Sequence, residues 1–381
     1  LGLTGFLAGL SHLARADGPL LLLSLSIAVL VEVRRRRRKK QRTGENNGLW
    51  RMANDGFQYL PGIRPLLLGL LFALAGYLLV MMPWFYRNWR VIGTPLSGAG
   101  VKTLFLRDYD DLYSYNDRLT WGSYLAWGWG SILRSKLEAA WLNLQTLLAV
   151  DLMIFLAPLA AIGLWQLRRQ GEFLPFFIYG PLLYLTMTLV FTFPGFRGGM
   201  LHSSTALLPH LFAAAMIGLD TAVIWLARFR PWHVPTAQKF FTTGFVLLAL
   251  FLSAFIYHGR ILGGQPFNPT WNQRDLVYGE IAAWLEEHAP PQAAVMVGNP
   301  PSFYYHSGRP CVVVPNEGLE AVLQIARRYE VDYLVLDENR PHPLAEIYSD
   351  QVEVSQLELQ LTLTDRQGKT VKIYRINGVR R

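Results

Sequence analysis

Two charged residues interrupt an apolar stretch near the start of the chain. Arg15 and Asp17 lie in HLARADGPLLLL, within a segment that is otherwise largely apolar over residues 1–33. The Gly-Pro pair that follows suits the first turn of a helix, which makes Asp17 a candidate N-cap. An arginine at a membrane surface can also give a lipid phosphate bidentate, charge-assisted hydrogen bonds. Two interpretations are therefore open, a capped turn between two helices and a phosphate contact.

A second pair of arginines follows a Pro-Trp boundary. The stretch MMPWFYRNWRVIGTPL places Arg87 and Arg90 three residues apart, beside Trp84 and Trp89. Tryptophan is typical of membrane–water interfaces. The two arginines are therefore candidates either for an ordinary headgroup-binding belt or for capture of an anionic, lipid-linked substrate.

Aspartates crowd the polar stretch LRDYDDLYSYNDR. Asp108 and Asp110 have a D-x-D spacing that can share a divalent cation, and with Asp111 they lie among aromatic residues that suit sugar binding. The alternative is a solvated acidic loop. We take these three residues as candidate sugar or metal contacts and assign no metal site. A divalent cation is the only cofactor for which the sequence gives an indication.

A fourth group lies in FPGFRGGMLHSSTALLPH. Arg197 falls in a glycine-rich loop and His202 follows it, so both are candidates for contacting a substrate phosphate. His210, Asp151 and Asp220 fall within apolar segments, where ionisable residues are candidates for function. Hydrogen bonding to a neighbouring helix is the alternative for these three.

The composition is that of a membrane protein. The 381 residues are 51% hydrophobic and 17% charged, whereas soluble domains carry about 25% charged residues. The net charge of +9 arises mostly from short basic runs beside apolar segments, which indicates membrane topology and argues against nucleic-acid binding. The single cysteine, Cys311, excludes an internal disulfide and a cysteine-based zinc site.

Six apolar segments approach the length of a membrane-spanning helix. They are residues 17–33, 65–85, 139–167, 174–194, 203–226 and 240–257, and residues 1–14 resemble the end of one more. We therefore predict about six to seven transmembrane helices. The basic loops 34–64, 168–173 and 228–239 fit the cytoplasmic side of a plasma (inner) membrane under the positive-inside rule.

This orientation places the rest of the polar chain outside the membrane. The outer segment 84–140 contains a Trp-rich stretch that suits an amphipathic helix lying among the lipid headgroups. From about residue 264, short buried strands alternate with helices. We predict an all-α polytopic membrane domain over residues 1–257, followed by a small extracytoplasmic α/β domain over residues 258–381.

Four stretches, taken in order, resemble a known family. They are GFLAGLSHLARADGPLLLL, PWFYRNWRVIGTPL, FRGGMLHSSTALLPHLFAAA and the run from IAAWLEEHAPPQ to VDYLVLD. Their order and topology resemble the C-terminal half to two-thirds of bacterial multi-pass C-type (GT-C) glycosyltransferases, relatives of protein O-mannosyltransferases and of the lipid A aminoarabinose transferase. The resemblance implies that the chain is a fragment lacking its N-terminal part. Arg15-Ala-Asp17-Gly matches the family pattern, whereas Arg197 is followed by glycine where relatives often have tyrosine.

The resemblance implies a sugar-transfer reaction. Family members move a sugar from a polyprenyl-phosphate donor to a lipid, glycan or protein acceptor on the extracytoplasmic side, and a carboxylate of the first outer loop acts as general base. That loop would precede residue 1, so no catalytic base is assigned. The candidates for the lipid-phosphate end of the site are Arg15, Asp17, Arg87, Arg90, Arg197 and His202.

Two other classes of protein remain open. A transporter or flippase of a lipid-linked or small solute would explain the polytopic part. The sequence has no internal repeat, however, and a Trp-rich outer segment with an outer α/β domain is unusual for transporters. A non-catalytic membrane assembly protein would instead use the α/β domain to bind a partner.

Overall fold

The computed structural model describes residues 1–15, 17–43, 63–96, 102–190, 199–263, 271 and 275–378. The chain divides into two compact units. The helical unit comprises Leu1–Arg107 and Leu119–Thr243, and the α/β unit comprises Asp108–Arg118 and Gly244–Arg381. The predicted outer segment 84–140 therefore contributes to both units.

The helical unit is built mainly from α-helices. Its helices are α1 (Gly2–Ala14), α2 (Pro19–Thr43), α3 (Ile63–Ile92), α4 (Trp121–Ala126), α5 (Trp129–Gln145), α6 (Ala157–Leu167), α7 (Leu174–Leu185), α8 (Met200–Ser203), α9 (Leu208–Leu226) and the first part of α10 (Val234–Tyr257). Proline occupies the first turn of α6, α7 and α9, where its missing N–H leaves no hydrogen bond unmade.

In the part of the chain that the structure describes, three helices are long and apolar enough to cross a membrane. They are Leu67–Ile92, Met200–Leu226 and Val234–Leu262. Shorter apolar helices are Gly2–Ala14, Pro19–Val31, Ala157–Leu167 and Leu174–Val190. These three helices support the membrane character predicted from the composition. The larger number of six to seven spans stays a prediction, since a bilayer needs about 20 helical residues and the shorter helices have at most 17.

A glycine allows α1 and α3 to pack closely and in parallel. A Cβ atom on Gly5 would lie 1.8 Å from the carbonyl oxygen of Ala73, and such close approach between helix backbones is typical of membrane helix pairs. Further along α1, the ring of His12 lies against Tyr77 and Phe85. The contacts advance along both helices in the same direction, so the C-terminal ends of α1 and α3 lie at the same end of the pair.

A second parallel pair is formed by α6 and α9. Cβ atoms on Gly163 and Gly218 would lie 1.8 and 1.9 Å from carbonyl oxygens of the facing helix. The side-chain amide of Gln166 donates to the Thr221 hydroxyl at 2.6 Å. Gly163 meets the helix turn that contains Gly218, and Gln166 meets Thr221 one turn later. The C-terminal ends of α6 and α9 therefore also lie together.

The α/β unit contains a mixed sheet. Its elements are the rest of α10, α11 (Val277–His288), β1 (Ala294–Val297), α12 (Pro300–Ser307), β2 (Cys311–Val313), α13 (Leu319–Tyr329), β3 (Val331–Leu336), α14 (Ala345–Tyr348), β4 (Leu357–Thr364) and β5 (Thr370–Ile376). The strand order is β2-β1-β3-β5-β4. β1 runs parallel to β2 and β3, whereas β5 is antiparallel to β3 and β4. The predicted small sheet of alternating strands and helices is confirmed.

Helices cover both faces of this sheet. Val295 and Val297 of β1 belong to an apolar cluster with residues of α11 and α12. Met296, between them, belongs to a second cluster with residues of α13. Because successive side chains of a strand point to opposite faces, a strand buried on both faces is apolar throughout. This explains why β1 is the uninterrupted apolar sequence AVMV.

Candidate functional site

Arg15 and Asp17 lie in one polar cluster with residues that are almost 190 positions away. The Arg15 Nε donates to the Asp17 carboxylate at 3.2 Å. Its Nη2 donates to the Ser203 hydroxyl at 3.0 Å and to the Gly199 carbonyl oxygen at 3.3 Å. The Ser203 hydroxyl in turn donates to the second oxygen of Asp17. We call these four residues the Arg15 cluster.

The local sequence determines the turn that presents this cluster. Helix α1 ends at Ala14, and Arg15 is in an extended conformation. Helix α2 begins at Pro19. Gly18 is pressed against α1, where a Cβ atom would lie 2.5 Å from the Cα of His12. The predicted turn is present, but Asp17 lies one residue before the N-cap position and its carboxylate contacts Arg15 and Ser203.

The guanidinium of Arg15 is partly exposed, and one of its edges makes no hydrogen bond to the residues that the structure describes. Its side chain is 38% exposed, whereas that of Asp17 is 12% exposed. Among the residues that the structure describes, none lies within hydrogen-bonding distance of Nη1. Asp17 and Ser203 thus fix the orientation of the guanidinium plane while its Nη1 edge can donate to an anion.

A second carboxylate, that of Asp151, lies near a serine that adjoins the Arg15 cluster. Asp151 is 5% exposed and lies near Ser204, the neighbour of Ser203. Two consecutive serines therefore each lie close to a carboxylate. The sequence indicated Asp151 as a candidate but missed both serines, because hydroxyl residues in an apolar stretch are common and give no specific signal.

The other predicted phosphate contacts are not part of this cluster. Arg87 is exposed, donates to the side chain of Asn88 at 3.3 Å and lies 5.2 Å from the Trp84 ring centroid. Arg90 is also exposed. Both lie at the end of α3 that adjoins the end of α1, but no contact between them and Arg15 occurs among the described residues. This arrangement suits the headgroup-belt interpretation of the two arginines.

The structure does not place the two candidates near Ser203, His202 and Arg197, in the Arg15 cluster. His202 is exposed, and the residue that contacts Arg15 is its neighbour Ser203. Arg197 lies outside the described residues. The role of these two residues therefore stays a prediction.

The acidic loop has a local structural role. Asp108 caps the short 3₁₀ turn Tyr109–Tyr113, and the Asp111 carboxylate accepts the N–H of Asp108 at 3.2 Å in return. Such reciprocal capping satisfies N–H groups at the start of a helical turn. Asp110 lies within the same turn. Among the described residues, no group of three or more His, Cys, Asp or Glu side chains could hold a metal ion. A sugar or metal contact by these aspartates stays a prediction.

Helices α4 and α5 lie within the predicted amphipathic stretch. One face of α5 exposes Trp129, Leu133, Leu137 and Trp141, spaced by four residues. The opposite face includes the buried residues Ile132, Ala139 and Asn143. Burial lowers the pKa of Lys136, whose ammonium lies 5.7 Å from the Tyr124 ring centroid. An exposed apolar stripe with interfacial tryptophans is the pattern expected of a helix at a lipid surface.

Comparisons with protein families, with curated protein sequences and with solved structures found no match to this chain.

Proposed function

We propose that this membrane protein transfers a sugar from a polyprenyl-phosphate donor to an acceptor on the extracytoplasmic side. The observation that supports this function best is the Arg15 cluster. It combines an arginine oriented by Asp17 and Ser203 with an Nη1 edge that makes no hydrogen bond to a described residue, at a turn between two apolar helices. A lipid-linked phosphate needs such a donor at the end of membrane helices, because its polyprenyl chain keeps it in the bilayer.

The contacts of Arg15 suit reversible phosphate binding. The guanidinium fork can give a phosphate directional hydrogen bonds that a lysine ammonium cannot match. Asp17 holds the fork in place through Nε, and its negative charge also weakens the attraction for a second anion. Moderate affinity is appropriate for a site that must release polyprenyl phosphate after each transfer.

The two parallel helix pairs support the proposed topology. The C-terminal ends of α6 and α9 are followed by the basic loops 168–173 and 228–239, so these loops belong on one side, the cytoplasm under the positive-inside rule. The C-terminal ends of α1 and α3 bring Arg15 and Arg87 to a common side. We place that side, the segment 84–140 and the α/β domain outside the plasma (inner) membrane, with six to seven spans and loop 34–64 in the cytoplasm.

The remaining parts of the reaction come from the family resemblance. The general base is the carboxylate expected upstream of residue 1, which would deprotonate the acceptor as it attacks the anomeric carbon. Arg15 stabilises the negative charge of the departing polyprenyl phosphate, and Ser203 helps to orient its guanidinium. The acceptor is a lipid, glycan or protein of the cell envelope.

The test is donor turnover in membranes that contain the protein together with the upstream loop that the family resemblance implies. Radiolabelled polyprenyl-phosphate sugars are supplied, and loss of label from the lipid is measured for the wild type, Arg15→Ala and Arg15→Lys. Arg228→Ala, which removes an exposed arginine from a predicted cytoplasmic loop, is the matched control. We expect turnover to fall at least about 100-fold in Arg15→Ala, since a donor to a developing anion contributes about 3 kcal/mol.

Two results would favour an alternative, and a further variant checks the assignment of Arg87. Undiminished turnover in a folded Arg15→Ala variant would remove Arg15 from the site and keep the enzyme. Movement of the donor lipid across the bilayer without sugar transfer would identify a flippase or transporter. Arg87→Ala is expected to retain turnover within about twofold, as an exposed headgroup contact should.

A further inference from the structure

The segment Asp108–Arg118 belongs to the α/β unit although its neighbours on both sides in the chain belong to the helical unit. We call this segment the strap. It contains the three aspartates predicted to contact a sugar or metal, and it docks on the loop between β2 and α13. The loop residues involved follow the C-terminal end of a parallel strand, which is the edge where α/β sheets commonly bind ligands.

One carboxylate holds the middle of the strap. Glu317 accepts hydrogen bonds from three consecutive backbone N–H groups, those of Tyr115, Asn116 and Asp117. The N···O distances are 3.2, 2.8 and 3.2 Å. Successive N–H groups that converge on one anion form a nest. Here the nest is in the strap and the anion is supplied by the α/β domain.

Further contacts surround this nest. The N–H of Asn316 donates to the carbonyl oxygen of Tyr113 at 3.1 Å, and the Asn116 side chain donates to Gln324 at 3.2 Å. Arg328 donates to the Tyr115 hydroxyl and lies 5.7 Å from its ring centroid. The hydrogen bond to Tyr115 also raises the pKa of Arg328.

The contacts that hold the strap differ in whether they need the carboxylate of Glu317. The Tyr115 ring packs against the apolar cluster beneath α13, and this contact is indifferent to charge. The nest, in contrast, depends on the acceptor oxygens of the Glu317 side chain, since alanine at this position would leave three N–H groups without their common acceptor. The strap's first turn is independently stabilised by the reciprocal capping of Asp108 and Asp111.

We propose that Glu317 is a positioning residue for the sugar-transfer reaction. By binding the strap it fixes the position of the aspartates that the strap carries. The α/β domain thereby acts as a clamp on the strap. This inference rests on the proposed function for its effect on turnover, but the clamp itself can be measured without any substrate.

The first arm of the test is hydrogen exchange of the purified chain, followed by mass spectrometry. Glu317→Ala is compared with Glu320→Ala, which removes an exposed carboxylate three residues away. We expect peptides spanning 113–117 to exchange at least about tenfold faster in Glu317→Ala, with β1 and β3 unchanged. Glu320→Ala should match the wild type. Equal exchange of the strap in Glu317→Ala and wild type would overturn the proposal.

The second arm is donor turnover by the protein with its upstream loop. In Glu317→Ala we expect kcat to fall at least about tenfold and the KM for the donor to stay within about twofold, because the Arg15 cluster is untouched. Glu317→Gln keeps one oxygen acceptor and should recover part of kcat. Fast strap exchange with unchanged kcat would overturn the positioning role while leaving the enzyme intact.

If the proposed sugar-transfer function is wrong, the experiments give a different result. If the wild type turns over no polyprenyl-phosphate donor, the sugar-transfer role of Glu317 is overturned as well. The exchange arm would then still show whether Glu317 holds the strap.

Discussion

Two glycines in apolar helices should respond in opposite directions to the same substitution. Gly163 of α6 faces α9, and a Cβ atom added to it would lie 1.8 Å from the carbonyl oxygen of Ala214. A Cβ atom added to Gly244 of α10 would have no neighbouring heavy atom within 4 Å. We expect Gly163→Ala to destabilise the protein and Gly244→Ala to stabilise it.

The magnitudes follow from these two distances. A carbon–oxygen contact normally needs about 3.3 Å or more, so α6 and α9 must separate by more than an ångström to admit one methyl group. Overpacking of this kind costs about 1–3 kcal/mol. The higher helix propensity of alanine returns about 0.5–1 kcal/mol at either site. The net expectation is a loss of about 1–2 kcal/mol for Gly163→Ala and a gain of at most about 1 kcal/mol for Gly244→Ala.

The assay is reversible unfolding in mixed micelles with increasing sodium dodecyl sulfate, followed by circular dichroism. The comparison is internally controlled, because both variants make the same chemical change in an apolar helix. A Gly163→Ala variant as stable as Gly244→Ala would refute the close packing of α6 on α9. The parallel orientation that supports the proposed topology would then lose its basis.

Three further outcomes are expected. In a double-mutant cycle of Arg15→Ala and Asp17→Asn, unfolding should show a coupling energy of about 1 kcal/mol, the upper range for a partly exposed ion pair; a value near zero would mean that the pair does not form. Arg309→Met should destabilise the α/β domain by about 2–3 kcal/mol in thermal unfolding. The reason is that the buried guanidinium donates to two carbonyl oxygens at the end of α11, at 2.8 and 3.4 Å. An unchanged melting temperature would refute this. Burial, with smaller contributions from nearby charges, raises the pKa of Tyr374 to about 12 from its usual 10.0. The neutral phenol therefore stabilises the fold fully below pH 10, and about 1 kcal/mol is lost by pH 11 as the unfolded chain ionises first. Tyrosinate absorbance at high pH should show one late-titrating phenol fewer in Tyr374→Phe than in the wild type.

Local patterns predicted the elements of the α/β unit well. Strands β1 and β3 are short apolar runs because they are buried on both faces, and α13 is strongly amphipathic because one side packs on the sheet. These features can be recognised from consecutive residues. The pairing of the strands cannot, so the sequence left open whether the sheet is parallel or mixed.

The Arg15 cluster could be predicted only in part. The charge interruption at Arg15 and Asp17 was visible as a turn with possible chemistry. Its partners Gly199 and Ser203 depend on which helices pack together, and lipid-facing and protein-facing apolar residues look alike in a sequence. No local signal links positions so far apart.

The residue spacing in the acidic strap fits two interpretations. Asp108 and Asp110 have a metal-like spacing, but Asp108 and Asp111 also have the spacing of a reciprocal helix cap. The structure shows the cap. The anchoring of the strap by Glu317 had no signal in the sequence, because it joins residues about 200 positions apart.

Binding of a polyprenyl phosphate to this chain tests the central claim most directly, since it requires neither the sugar nor the upstream base. The purified chain in lipid nanodiscs is titrated with a fluorescent polyprenyl phosphate, with the uncharged polyprenol as the control ligand. We predict that Arg15→Ala weakens phosphate binding at least about tenfold, the effect of losing a charge-assisted hydrogen bond, and that Arg228→Ala does not. Equal affinity of wild type and a folded Arg15→Ala variant would contradict the assignment of Arg15 to the donor phosphate.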